Sequence, residues 1–196
     1  MFRSKEEVRE YVWKKIEPLS KFPSPYGRIP NFRGAEKACE KIREIEEYWS
    51  SECVFSAPDS VLLRLREIVL EDGKTLLAAL PRMKDFVILD HRVKPTIEVM
   101  KIAQKADFRK LKKKVAIFAQ GCVAVDLNGN RIGKGSGFGD REFEILKKEG
   151  LLTEKSLFVV VAHGLQVFSD LSHLMEKHDI RADVILTPEK IIRIKI

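Results

Sequence analysis

The sequence predicts an α/β protein, a layered domain of strands and helices. Two observations carry this. Short apolar runs of strand length (CVFSA, FVILD, VAIFA, LFVVVA, DVILT) alternate with segments of helical periodicity, the pattern of a layered α/β domain. The hydrophobic fraction is 44% of 196 residues, ample for a core in a chain of this length. With no internal repeat, residues 1–196 read as a single α/β domain.

The elements follow in order. Ser4 and Glu7 form a capping-box pattern that opens a helix from Lys5 to Glu17. Pro18 to Pro30 holds four prolines and one glycine and reads as an irregular surface segment. A second helix begins near Arg33, its buried stripe given by Ala35, Ala38, Cys39, Ile42, Ile45 and Trp49. CVFSA is a short strand, after which Pro58-Asp59-Ser60 caps a helix running to the turn at Asp72-Gly73. Lys74–Leu80 is a buried strand stopped by Pro81, and FVILD is another. A short helix is expected over Ile97–Ala103 within a basic stretch. VAIFA and CVAVD are two strands separated by Gln120-Gly121, and REFEILKKEG is a helix ending at Gly150. LFVVVAH, DVILT and IIRIKI supply the remaining strands.

A formal net charge of +7 suits a polyanionic ligand such as a nucleotide. The basic run RKLKKK, Arg109 to Lys114, reads as a solvated turn or helix end: it contains no aromatic residue for a base to stack on, so nucleic acid is not the expected partner. Three cysteines without a CxxC pair argue against a disulfide framework or zinc knuckle, and the charged start MFRSKEEVRE is no signal peptide. No apolar run is long enough to span a bilayer. The expected setting is the cytoplasm, as a monomer or homodimer without membrane contact.

The most informative stretch is GKGSGFGDR, with glycine at 133, 135, 137 and 139. It fits neither the dinucleotide fingerprint nor the Walker pattern. Alternate glycines can turn backbone N–H groups into one concavity, and Arg131, Lys134 and Arg141 surround it with positive charge. A strand-like run before it and a helix after it complete the usual setting of a phosphate cradle. Asp140 stands where that helix begins. An N-cap is its ordinary role there, and a carboxylate holding Mg²⁺ against bound phosphates is the alternative. His173 and His178, five residues apart, do not share a helix face as metal ligands would.

In combination these pieces resemble the 5-formyltetrahydrofolate cyclo-ligase family, the methenyltetrahydrofolate synthetases. The resemblance rests on KEEVR in the first helix, SAPDS after the first strand and KTLLAALPR. Its most specific part is DLNGNRIGKGSGFGDR, and a tail with Gln166 and then HDIRADVILT completes it. The segment YGRIPNFRGAEKA resembles a divergent, archaeal-type branch. The resemblance implies a three-layer α/β/α fold around a central mixed, largely parallel sheet, and ATP- and Mg²⁺-dependent conversion of 5-formyltetrahydrofolate, or a related reduced pterin, to 5,10-methenyltetrahydrofolate with release of ADP and phosphate. It implies ATP binding by Lys5, Arg9, Arg131, Gly133, Lys134, Gly135, Ser136, Gly137, Phe138 and Gly139, with Arg131 and Lys134 as the catalytic cations. Asp140 and Asp179 match the magnesium carboxylates, and Asp59 and Phe138 the folate contacts. Three places depart from the family pattern: its aromatic pair becomes Phe138-Gly139, its folate-contacting glutamate has only Asp59 nearby, and Lys134 occupies a spot that varies in the family. The alternative is a non-catalytic nucleotide- or RNA-binding module on the same fold.

Overall fold

The computed structural model describes residues 2–194. Helix α1 (Lys5–Ile16) is capped by Ser4, whose side chain accepts from the Glu7 N–H, while Glu7 turns back to the Arg3 N–H. The expected second helix is instead three short pieces: α2 (Ala35–Glu40), a 3-10 turn (Lys41–Glu44) and α3 (Glu46–Trp49). Ile45 breaks it with an extended backbone, ψ 122°. The buried stripe then advances in steps of three, Ile42, Ile45 and Tyr48, as 3-10 geometry requires. Trp49, expected inside, is therefore 55% exposed, and Tyr48 fills the core in its place.

The remaining elements are β1 (Cys53–Ser56), α4 (Leu63–Glu71), β2 (Thr75–Ala79), β3 (Phe86–Leu89), α5 (Ile97–Ile102), β4 (Gln104–Lys105), β5 (Val115–Gly121), β6 (Ala124–Asp126), β7 (Arg131–Ile132), α6 (Phe138–Lys148), β8 (Leu157–Val161), β9 (Val167–Phe168), β10 (Val184–Leu186) and β11 (Ile191–Arg193). Eight strands form the central sheet in the order β11-β10-β8-β5-β1-β2-β3-β4. The five from β10 to β2 are parallel, and β11, β3 and β4 add antiparallel edges. This is the mixed, largely parallel sheet expected. The final run was expected as a strand to its end; β11 covers Ile191–Arg193, and residues 195–196 lie outside the described part.

Period-two alternation divides the core. Val54, Leu76, Ile117 and Val159 face α2 and α4, whereas Phe55, Leu77, Phe118 and Val160 face α6. Inside the second face Phe55 stacks on Phe118 at a centroid distance of 4.6 Å. A three-stranded sheet, β7-β6-β9, packs beside α1 through Val8, Val12, Val123 and Ile132. The strand ending expected at Gln120-Gly121 is displaced. Strand β5 runs through both residues, pairing Gln120 with Val160, and only then does the chain leave for the small sheet.

The parallel strands β1, β2 and β5 end at one edge, and their following loops open a cleft of about 380 Å³. A crevice at the carboxyl ends of parallel strands is the usual ligand position in such sheets. The exposed RKLKKK run precedes the start of β5, at the opposite end of that strand.

Candidate functional site

Helix α6 starts at Phe138, three residues before the expected Arg141, and this changes the role of Asp140. The N-cap is Gly137, left-handed at φ 67° and without any side-chain cap. Asp140 lies in the first turn and is no cap. The first N–H groups of α6 are thus free of a side-chain acceptor, where the helix dipole is positive. Asp140 accepts from Arg131 Nη2 at 2.7 Å. Arg131 is buried, its guanidinium 5.5 Å from the Phe158 ring centroid, and its Nε has no partner among the described residues.

The glycine loop leans on α1. Arg9 Nε donates to the Gly133 carbonyl at 2.8 Å, and Arg9 Nη1 also binds Glu6. Gly135 adopts φ 100°, and a Cβ there would come 3.4 Å from the Arg9 guanidinium carbon. One turn earlier Lys5 Nζ meets Asp179 Oδ2 at 2.6 Å. Burial raises the Asp179 carboxyl, but the Glu176 N–H and Lys5 outweigh it and leave the group below its ordinary value. Glu176, His178 and Asp179 bring their ligand atoms within 4.8 Å of one another.

Of the residues expected at the site, Asp59, Arg131, Gly133, Lys134, Ser136, Gly137, Phe138, Gly139 and Asp140 line the cleft. Lys5, Arg9, Gly135 and Asp179 do not. Arg9 holds the loop through the Gly133 carbonyl with Gly135 close to its guanidinium, and Lys5 joins Asp179. Lys5 and Arg9, expected to reach the same groups from one helix face, are divided between two partners. Asp59 was expected to cap the helix after β1, but its side chain makes no capping bond there. Its carboxylate turns to the cleft beside Gly121, held up by burial and pulled back down chiefly by Lys134.

Two residues at the floor had not been singled out. Gln120 and Glu142 are buried, and Gln120 Nε2 donates to the Gly139 carbonyl at 2.9 Å and to Glu142 Oε2 at 3.0 Å. A Cβ at Gly139 would stand 2.7 Å from Gln120 Oε1, so any larger residue there would push the Gln120 amide aside. Burial, then the Asp59 charge, pushes the Glu142 carboxyl up to about 8 despite the Gln120 bond. The signal for both was phase. Gln120 shares parity with Phe118 on the α6-facing side of β5, and Glu142 lies one turn before the buried Leu146 on α6. A polar residue at an apolar position of a regular pattern marks a candidate site.

A family model described as the 5-formyltetrahydrofolate cyclo-ligase family matches residues 3–188. The chain belongs to that family. It is 34% identical over 205 residues to a methenyltetrahydrofolate synthase domain-containing protein of Danio rerio, covering 97% of this chain and 53% of that protein. A protein of the same description from Homo sapiens is 32% identical, with 96% and 53% covered. The chain thus spans about half the length of these relatives. The solved structure of 5,10-methenyltetrahydrofolate synthetase from Aquifex aeolicus superposes with a TM-score of 0.61 at 22% identity, covering 98% of this chain and 93% of that one. That likeness establishes the shared α/β fold. Among the described residues no helix is long and apolar enough to cross a membrane.

Proposed function

We propose that this cyclo-ligase family member, acting as one α/β domain over 1–196, converts 5-formyltetrahydrofolate to 5,10-methenyltetrahydrofolate with ATP and Mg²⁺. The observation that carries the reading is the uncapped start of α6, open to the cleft between Arg131 and Lys134, with Asp140 in its first turn. Backbone N–H groups, a helix dipole and two cations suit phosphate oxygens, and a carboxylate beside them suits a hard divalent cation. When bound, ATP·Mg²⁺ supplies the phosphoryl group that turns the formyl oxygen into a leaving group.

The chain's own residues supply positioning and charge. The pairs Arg131–Asp140 and Lys5–Asp179 each join a proposed phosphate-binding cation to a proposed metal-binding carboxylate. Phosphate oxygens and a divalent cation would exchange these partners without leaving any charge unpaired. The orphaned Arg131 Nε supports the same fit, since a buried donor without a partner is costly. Phe138 offers a ring face at the cleft, and Asp59 an acceptor. With the formyl oxygen phosphorylated, N10 of the folate attacks the formyl carbon, forming the C–N bond. N10 gives up its proton, and the carbon–oxygen bond breaks to release phosphate.

The test is growth of methenyl absorbance from 5-formyltetrahydrofolate with ATP and Mg²⁺. The reading expects turnover that stops when either is withheld. A protein that binds ATP at this loop yet forms no methenyl product from that substrate would overturn it.

A further inference from the structure

One cation sits inside the core, behind the cleft, and takes no part in the phosphate chemistry. Arg66 is 1% exposed and lies on the buried face of α4 beside Leu65, Ile68 and Val69. It makes no ion pair among the described residues, and its guanidinium donates to backbone carbonyls instead. Nη1 reaches Ala57 at 2.9 Å and Asp59 at 3.1 Å, and Nε reaches Pro95 at 3.3 Å. These carbonyls belong to two separate walls. Ala57 and Asp59 stand in the loop after β1 and line the cleft, while Pro95 stands two residues before Ile97, the cleft-lining first residue of α5. Residues 90–96, which lead into α5, belong to no helix or strand. A buried cation is costly, and an apolar side chain of similar volume often serves stability as well or better. A rigid planar fork that reaches three acceptors at once, however, fixes the spacing of two loops as no apolar side chain does.

We propose that Arg66 is a positioning residue: from inside the core it ties the loop that carries Asp59 to the start of α5, and so sets the width of the cleft for the substrate that is not the nucleotide. The inference deepens the folate reading and rests on it only for the identity of that substrate. Charge works in the same direction as geometry. Burial raises the Asp59 carboxyl, and Lys134, the Gly121 N–H and then Arg66 oppose it. Burial likewise pushes the Arg66 guanidinium down to about 10, with Asp59 the chief charge acting against this. The nucleotide end has no such tie. Its loop is held by Arg9, and none of the three carbonyls that Arg66 binds belongs to that loop or to α6. Loss of the fork should therefore fall on one ligand and spare the other.

The experiment compares Arg66→Lys, which keeps the charge and loses the fork, with Arg66→Met, which loses both. Amide hydrogen exchange of the ligand-free chain is read first. Both variants are expected to exchange about tenfold faster or more over residues 57–62 and 95–100, with β5 and β8 as protected as in the unsubstituted protein. In steady-state kinetics KM for 5-formyltetrahydrofolate should rise about tenfold or more in both, with KM for ATP within a factor of about two. Loosening of one segment without the other, a loss of protection spread over the whole sheet, or equal rises in both KM values would overturn the positioning role. Unchanged exchange and KM in Arg66→Lys would overturn it as well. If Arg66→Met does not fold, Arg66→Lys decides. If the unsubstituted chain forms no methenyl product, the cyclo-ligase reading falls, and the exchange result alone decides the role of Arg66.

Discussion

The two ends of the cleft are built by opposite means. At the α6 end, binding capacity comes from the backbone: alternate glycines, an uncapped helix start and exposed Lys134. At the floor it comes from side chains, the buried Gln120 and Glu142, joined by a hydrogen bond, and the half-buried Asp59. A phosphate is recognised by charge and N–H groups whatever it is attached to, so the first end can be a flexible, open loop. A heterocycle is recognised by the order of donors and acceptors on its edge, so the second must be rigid and partly dry. The nucleotide end should therefore tolerate changes in side-chain shape but not in charge or backbone bulk, and the floor should be sensitive to any change in the position or donor–acceptor order of its side chains.

The largest effect is expected at Asp140. Asp140→Asn keeps size and helix position but removes the charge facing Arg131, and turnover should fall on the order of 100-fold or more with Tm unchanged. Unaltered turnover and magnesium dependence would place Asp140 with Arg131 as a structural pair and break the comparison at its first end. Gly135→Val comes next. It adds bulk against Arg9 at a φ of 100°, a region that costs a branched side chain about 1–2 kcal/mol. ATP affinity, read by titration calorimetry, should be lost while pterin affinity persists. Gly139→Ala should show the reverse bias, because its Cβ displaces the Gln120 amide. Pterin affinity should drop several-fold with ATP affinity nearly intact, and an equal loss of both would mean the two ends are not separable.

The smallest effect concerns pH. The Glu142 carboxyl, raised by burial and by Asp59, faces Asp59, Gln120, Arg131 and Lys134. A carboxyl raised in the folded protein favours folding while protonated. Its contribution is complete below the ordinary value of 4.5 and is lost as pH rises through about 8. In metal-free protein, denaturant-derived stability should decline across that window by at most ~1.4 kcal/mol per pH unit. Glu142→Gln should flatten the decline, and an identical profile in the variant would remove the burial argument for that group.

How much of this could be read from the sequence follows from the same contrast. The glycine loop announces itself because alternate glycines and flanking cations are adjacent in the chain. The parallel sheet is legible because its strands are apolar runs bounded by turns. The floor is not local: residues 59, 120 and 142 meet only because β1 and β5 are neighbours in the sheet and α6 covers that face. The sequence also misplaced the start of α6, since a left-handed Gly137 serves as N-cap where the next Asp was the more familiar candidate. The 3-10 step that exchanges Trp49 for Tyr48 escaped for a similar reason, because helical spacing was assumed across Ile45.

The account's central claim is that both ends serve one reaction centred on the formyl oxygen. The most direct measurement supplies 5-formyltetrahydrofolate labelled with ¹⁸O in the formyl group, together with unlabelled ATP and Mg²⁺. Mass spectrometry of the released phosphate and ADP then follows the label. The account predicts one ¹⁸O atom in each phosphate, none in ADP, and one methenyl product per phosphate. Unlabelled phosphate released alongside unchanged 5-formyltetrahydrofolate would mean that the loop hydrolyses ATP without any connection to the floor, and would contradict it.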